Sequence, residues 1–160
     1  MIEVKVDGLL LDNTNNSPVV LLRELDGDRV LPIYIGPFEA SAIAHSLEGT
    51  DFPRPMTLDL MRLAIEGLGG KVKRVNVSRI EGDTFMAEVI IESGNGIVSL
   101  DARPSDSVGL ALRTGASIYV APEVMDKASR HVTAEEEDRL EELRKKMRNI
   151  EPEDFGNYQM

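Results

Sequence analysis

The stretch LDARPSDSVGLALR, residues 100–113, sets Asp101, Arg103 and Asp106 within six positions where an apolar run gives way to a helical pattern. A guanidinium among carboxylates can grip a phosphate while an acid serves as general base or metal ligand. Asp101 and Arg103 are two residues apart and share a face if the strand continues through them. Asp106 falls in the first turn of the next helix, where the N-terminal dipole favours a carboxylate. The same residues also suit a solvated corner, with Asp101 paired to Arg103 and Asp106 stabilising the helix start.

A second corner, RPMTLD at residues 54–59, repeats the arrangement: Arg-Pro enters a helix and Asp59 lies in its first turn. Together the corners offer Arg54 and Arg103 for phosphate, and Asp59 and Asp106 as bases or ligands, with Asp101 or Glu39 in support. Such a reaction site requires both corners to converge in one cleft. The competing reading ties Asp59 to Arg62 and Arg62 to Glu66 along an exposed helix face. Carboxylates in a chain without cysteine favour magnesium or manganese over zinc. His45 has no second ligand at helical spacing and reads as a partly buried structural residue, and His131 reads as a loop residue. No Ser-His-Asp spacing or nucleotide-binding glycine loop is present: the glycines of GLGG and SGNG end a helix and turn a hairpin.

The elements that must place these groups follow from periodicity. IEVKVDGLLL alternates at period two, with Ile2, Val4 and Val6 on one face. The turn DNTNNSP leads into VVLLREL, and DGD into VLPIYI, whose Pro32 points to an edge or an irregular start. A helix follows over GPFEASAIAHSLEG, with Pro37 first and Gly49 as its stop. The next, TLDLMRLAIEGLGG, takes Thr57 as N-cap and lines up Leu58, Met61, Ile65 and Leu68. A second meander runs through KVKRVNVSRI, TFMAEVIIES and IVSLDA, before a helix opened by Pro104 and closed by Gly115. SIYVA reads as a short strand and PEVMDKAS as a helical turn or two. The last helix opens on a Thr133–Glu136 capping box and carries Leu140, Leu143, Met147 and Ile150 as an apolar stripe.

The pattern predicts one α+β domain: two antiparallel β-meanders each followed by helices, plus a C-terminal helix. Residues 1–132 form the body, 133–150 an amphipathic helix packed on it, and 151–160 a loosely held tail. Each half places an acid two residues beyond its helix-opening proline, Glu39 after Pro37 and Asp106 after Pro104, a spacing that a duplication would leave.

At 160 residues the chain is long enough to bury one sizeable core. Its net charge of −10 argues against a broad basic face for nucleic acid. Residues 133–160 hold nine acidic and five basic side chains, and the remainder is acidic too. Nucleic-acid chemistry would then need a local positive site or bound ions. Absent cysteine excludes disulfides and thiolate catalysis. With neither a spanning apolar run nor a signal peptide in view, the expected location is cytoplasmic, with no membrane contact.

RELDGDRVLPIYIGPFEASAIA, FPRPMTLDL and LDARPSDSVGLALRTGASIYVAPEV, in that order, resemble the bifunctional nuclease (BFN) domain family over about residues 1–130. The resemblance implies hydrolysis of DNA and RNA. It maps Arg54, Pro55, Thr57 and Asp59 onto one family motif, and Arg103, Pro104, Ser105 and Asp106 onto the other. Relatives often read R-P-x-T-H-D in the first motif, and Leu58 stands where that histidine would be. The resemblance thus favours a metal-assisted nuclease with nucleic acid as substrate. The missing histidine and the acidic charge favour a non-catalytic binding or assembly module, a homo-oligomer whose Arg-Pro-Asp corners are structural.

Overall fold

The computed structural model describes residues 1–12 and 14–147. The expected tail over 151–160, Ile150, and the side chains of Glu136, Leu143 and Met147 lie outside the described residues. The first meander is β1 (Ile2–Leu11), β2 (Pro18–Glu24) and β3 (Arg29–Tyr34), followed by helices α1 (Pro37–Glu48) and α2 (Thr57–Gly67). The second is β4 (Lys71–Glu81), β5 (Thr84–Ser93) and β6 (Gly96–Ala102), followed by α3 (Pro104–Thr114). Strand β7 (Ser117–Val120), helix α4 (Pro122–Ala128), strand β8 (Arg130–His131) and helix α5 (Ala134–Met147) complete the chain.

All eight strands join one sheet in the order β6-β5-β4-β7-β1-β2-β3-β8. Strand β7 inserts between the meanders, antiparallel to β1 and parallel to β4; the other pairings are antiparallel. Alternation then sorts the side chains. Val20 and Leu22 of β2 face the main core with Ile43, Ala44, Val108 and Leu110 of α1 and α3. Val19 and Leu21 point the other way and meet Leu140 of α5. Being apolar on both faces, β2 is covered on both sides, and each of its fully buried leucines or valines contributes about 1.5–3 kcal/mol.

This is the single α+β domain that the periodicity predicts. Some local features differ. Met56, not Thr57, is the N-cap of α2, because the Asp59 carboxylate accepts the Met56 N–H at 3.0 Å and pulls the start back one residue. His131 lies in a two-residue strand, paired with Arg29, in place of a loop. The α2 stripe is buried only at Leu58 and partly at Ile65; Met61 and Leu68 are exposed. Pro32 pairs with Leu21 of β2, while β8 reaches only Arg29 and Val30, so the proline's other flank needs no N–H. No helix among the described residues is long and apolar enough to cross a membrane.

Candidate active site at the start of α3

Strand β6 ends at Ala102, and Pro104 forces Arg103 into an extended conformation (φ −74°, ψ 146°) before the helix begins. The Arg103 side chain therefore stands clear of the sheet, 64% exposed. Its Nη1 donates to Glu39 Oε1 at 2.9 Å, its Nε donates to Asp106 Oδ2 at 3.2 Å, and its Nη2 lies 3.1 Å from the same oxygen. The Glu39 hydrogen bond, then the Asp106 charge, hold the guanidinium proton more firmly than usual. The two acids that follow the helix-opening prolines thus share one cation. Gly36 permits this, since a Cβ there would sit 2.2 Å from Glu39 Oε2.

Neither α1 nor α3 is capped by its N-cap side chain. The first N–H groups of α3 lie at the positive end of its helix dipole, where an anion is favoured. Beside them opens a cavity of about 380 Å³ between the two meanders, lined by Tyr34 and Gly36, by Thr84 and Phe85, and by Arg103 and Ser105. Ser105 is only 6% exposed, and its hydroxyl has no hydrogen-bond partner among the described residues. The Tyr34 hydroxyl donates to Asp12 Oδ2 at 2.6 Å. Asp12 is held at about 2 by the Thr14 hydroxyl first and Tyr34 second, and Tyr34 is pushed up in return.

The second Arg-Pro corner goes elsewhere. Asp59 Oδ1 accepts Arg113 Nε at 3.0 Å, while its other oxygen caps α2. Arg113, with its side chain 9% exposed, also donates to the carbonyls of Gly109 and Ala42, both at 3.0 Å. Asp59 therefore serves the C-terminal end of α3, and Asp106 its first turn. Seven residues, about 10 Å of helix rise, separate Asp106 from Arg113. No residue of the Arg54–Asp59 corner lines the cleft beside Arg103. Arg54 is exposed and makes no ion pair among the described residues. Arg62 reaches Glu66 at 3.5 Å as the helical spacing predicts, without Asp59. Asp101 is exposed on β6 and does not bond Arg103, because the strand stops between them.

Leu58, at the position where relatives carry histidine, is buried between α2 and α3, and a Cβ on Gly109 would come within 2.5 Å of its Cδ1. Replacing the histidine therefore leaves the Arg103 cleft untouched. Among the described residues no group of three His, Cys, Asp or Glu side chains is placed to hold a metal ion. Glu39 and Asp106 already share a guanidinium, so the donor set does not fit a resident magnesium or manganese ion. Tyr34 is a site residue that motif reading misses. Its signal is an aromatic just before Ile-Gly-Pro, in a chain only 4% aromatic.

The family model of the bifunctional nuclease domain matches residues 20–133, which hold the whole of this cleft except Ser17. The chain belongs to the bifunctional nuclease domain family. An uncharacterised protein of Mycobacterium tuberculosis is 40% identical over 162 residues, spanning 96% of this chain and 97% of its own length. Bifunctional nuclease 1 of Oryza sativa subsp. indica is 26% identical over 114 residues, covering 69% of this chain and 34% of the rice protein. Bifunctional nuclease 1 of Arabidopsis thaliana is 25% identical over 107 residues, covering 64% and 33%. The matched stretch spans about a third of each plant protein.

Proposed function

We propose that this bifunctional nuclease domain hydrolyses phosphodiester bonds of nucleic acid at the cleft where α1 and α3 begin. The observation that carries the reading is Arg103, bound at once to Glu39 and Asp106 beside an uncapped helix start. A phosphate entering the cleft competes for the exposed guanidinium and takes the N–H groups of the first α3 turn and the Ser105 hydroxyl as further donors. As Arg103 turns to the phosphate, the Asp106 carboxylate is released to accept a proton from water. That water's oxygen bonds to phosphorus, the ester P–O bond breaks, and the departing alkoxide takes a proton from solvent. Charge growing on the non-bridging oxygens meets Arg103 and the helix N-terminus. Glu39 holds the guanidinium in place when the cleft is empty. Arg54 and Asp59 stand outside this arrangement, Asp59 as a structural tie.

The test is cleavage of single-stranded DNA and RNA by purified protein, with magnesium, with manganese and with a chelator, against Asp106→Asn. Degradation lost in Asp106→Asn at an unchanged melting temperature supports the reading. No cleavage above a contaminant control in any buffer sinks it. The donor set leads us to expect activity that survives chelation.

A second reading, homo-oligomeric assembly, is favoured by strand β6. Its outer edge is unpaired among the described residues, and Ile97, Val98 and Leu100 are exposed on its two faces. An unprotected apolar edge is a template for another strand.

A further inference from the structure

We infer that the Arg103 cleft takes one unpaired nucleotide at a time, with the base stacked on Tyr34, so that its substrates are short single-stranded oligonucleotides. The inference rests on the phosphodiesterase reading and narrows it. Five aromatic residues lie in the described chain outside the last ten positions. Tyr34 and Phe85 line the cavity, and Phe38 follows in the first turn of α1. Tyr34 and Phe38 are 59% and 66% exposed, although apolar rings are ordinarily covered. Tyr34 is also oriented: its hydroxyl is tied to Asp12, which leaves the ring as a fixed platform at the rim. Base stacking on such a ring needs a base freed from its duplex partner.

The other half of a nucleotide is accommodated by Arg103 and by Ser105, a cavity-lining residue whose hydroxyl makes no hydrogen bond among the described residues. About 380 Å³ lies at the small-molecule end of the size range of ligand pockets. What is missing is a track. Among the described residues Arg103 is the only Lys or Arg lining the cavity, two carboxylates flank it, and the whole chain carries −10. A long polyanion gains affinity by neutralising many phosphates, and this surface offers one clamp.

The experiment measures binding by the full chain, using phosphorothioate-linked probes that resist cleavage: a 5′-phosphorylated thymidine dinucleotide, an oligothymidylate of about twenty nucleotides, and a duplex of similar length. The dinucleotide is expected to bind within about threefold of the long strand, and to weaken only about threefold between roughly 50 and 200 mM salt, the dependence of one phosphate contact. The duplex is expected not to compete. Tyr34→Ala is expected to weaken dinucleotide binding about tenfold or more, while Tyr34→Phe stays within about twofold, both with native melting curves. A long strand bound about a hundredfold tighter with steep salt dependence, a competing duplex, no binding at all, or an indifferent Tyr34→Ala would each overturn the inference. Short probes bound by a protein that cuts no unmodified strand would uphold the single-nucleotide site with its Tyr34 stack and remove the nuclease reading. Long strands cut as readily as short ones by both wild type and Tyr34→Ala would do the reverse.

Discussion

Arg103 holds two acids at once, and its planar fork is what makes that possible. A lysine keeps the charge but offers a single point donor. Arg103→Lys is therefore expected to lower kcat/KM on oligonucleotides about a hundredfold, the usual cost of one oxyanion donor. Its melting temperature is expected to move by less than about 2 °C, because the Arg103 side chain is 64% exposed and the lysine keeps its charge. Steady-state kinetics with a thermal melt checks both. At the cleft rim, the depressed Asp12 carboxylate makes a pH prediction. A folded-state value below the unfolded one adds stability above the ordinary value of 3.8, and that stability is lost as pH falls toward about 2. A carbon-detected titration should find the Asp12 midpoint near the lower figure, moving up toward 3.8 in Tyr34→Phe. At this scale the sequence shows the cation and both acids, and even the equivalent spacing of Glu39 and Asp106 after their prolines. It does not show that Arg103 joins them, because that contact spans 64 residues of chain.

Among the elements, the seam between α2 and α3 separates structure from chemistry. Arg113 ties α3 to both neighbouring helices, through Asp59 of α2 and the Ala42 carbonyl of α1. Removing either ionic partner strands the other in a largely covered site. Asp59→Asn or Arg113→Met is expected to cost about 2 kcal/mol or more by denaturant unfolding, while leaving dinucleotide affinity at the Arg103 cleft unchanged. Loss of affinity with preserved stability would return Asp59 to the reaction. In the same seam, Gly109→Ala is expected to cost about 1 kcal/mol, since its Cβ would press on the buried Leu58. Strands and long helices were legible because their periods differ and their prolines and glycines mark the ends. The two-residue β8 was not, since only its distant partners Arg29 and Val30 make it a strand. Nor was the separation of the two Arg-Pro corners, because each is locally alike and the axis of α3 alone holds them apart.

For the whole molecule, the two edges of the sheet contrast. At one end β8 is two residues long and polar, with His131 bonded to Asp28, which blunts that edge. At the other, β6 runs seven residues with apolar side chains on both faces. On the helix side the apolar surface continues through Val98, paired with Ile91, to Ile65 of α2, whose Leu60 and Leu63 are also exposed, as is Leu68 just past its end. Self-association through β6 is expected, and Val98→Lys with Leu100→Lys should convert any oligomer to monomer by light scattering, whereas Arg130→Glu should not. A wild type that is monomeric at high concentration would dismiss it.

The insertion of β7 between the meanders has a consequence for how the molecule is made. Val4 pairs with Ile118, and Val75 pairs with Ile118 from the other side. A chain leaving the ribosome has therefore synthesised both three-stranded halves, each with one flank still open, long before the segment that splices them exists. Until residues 117–120 emerge, neither half can close on the other, and a nascent chain stalled in α3 would present two unsatisfied inner edges to the cell's chaperones.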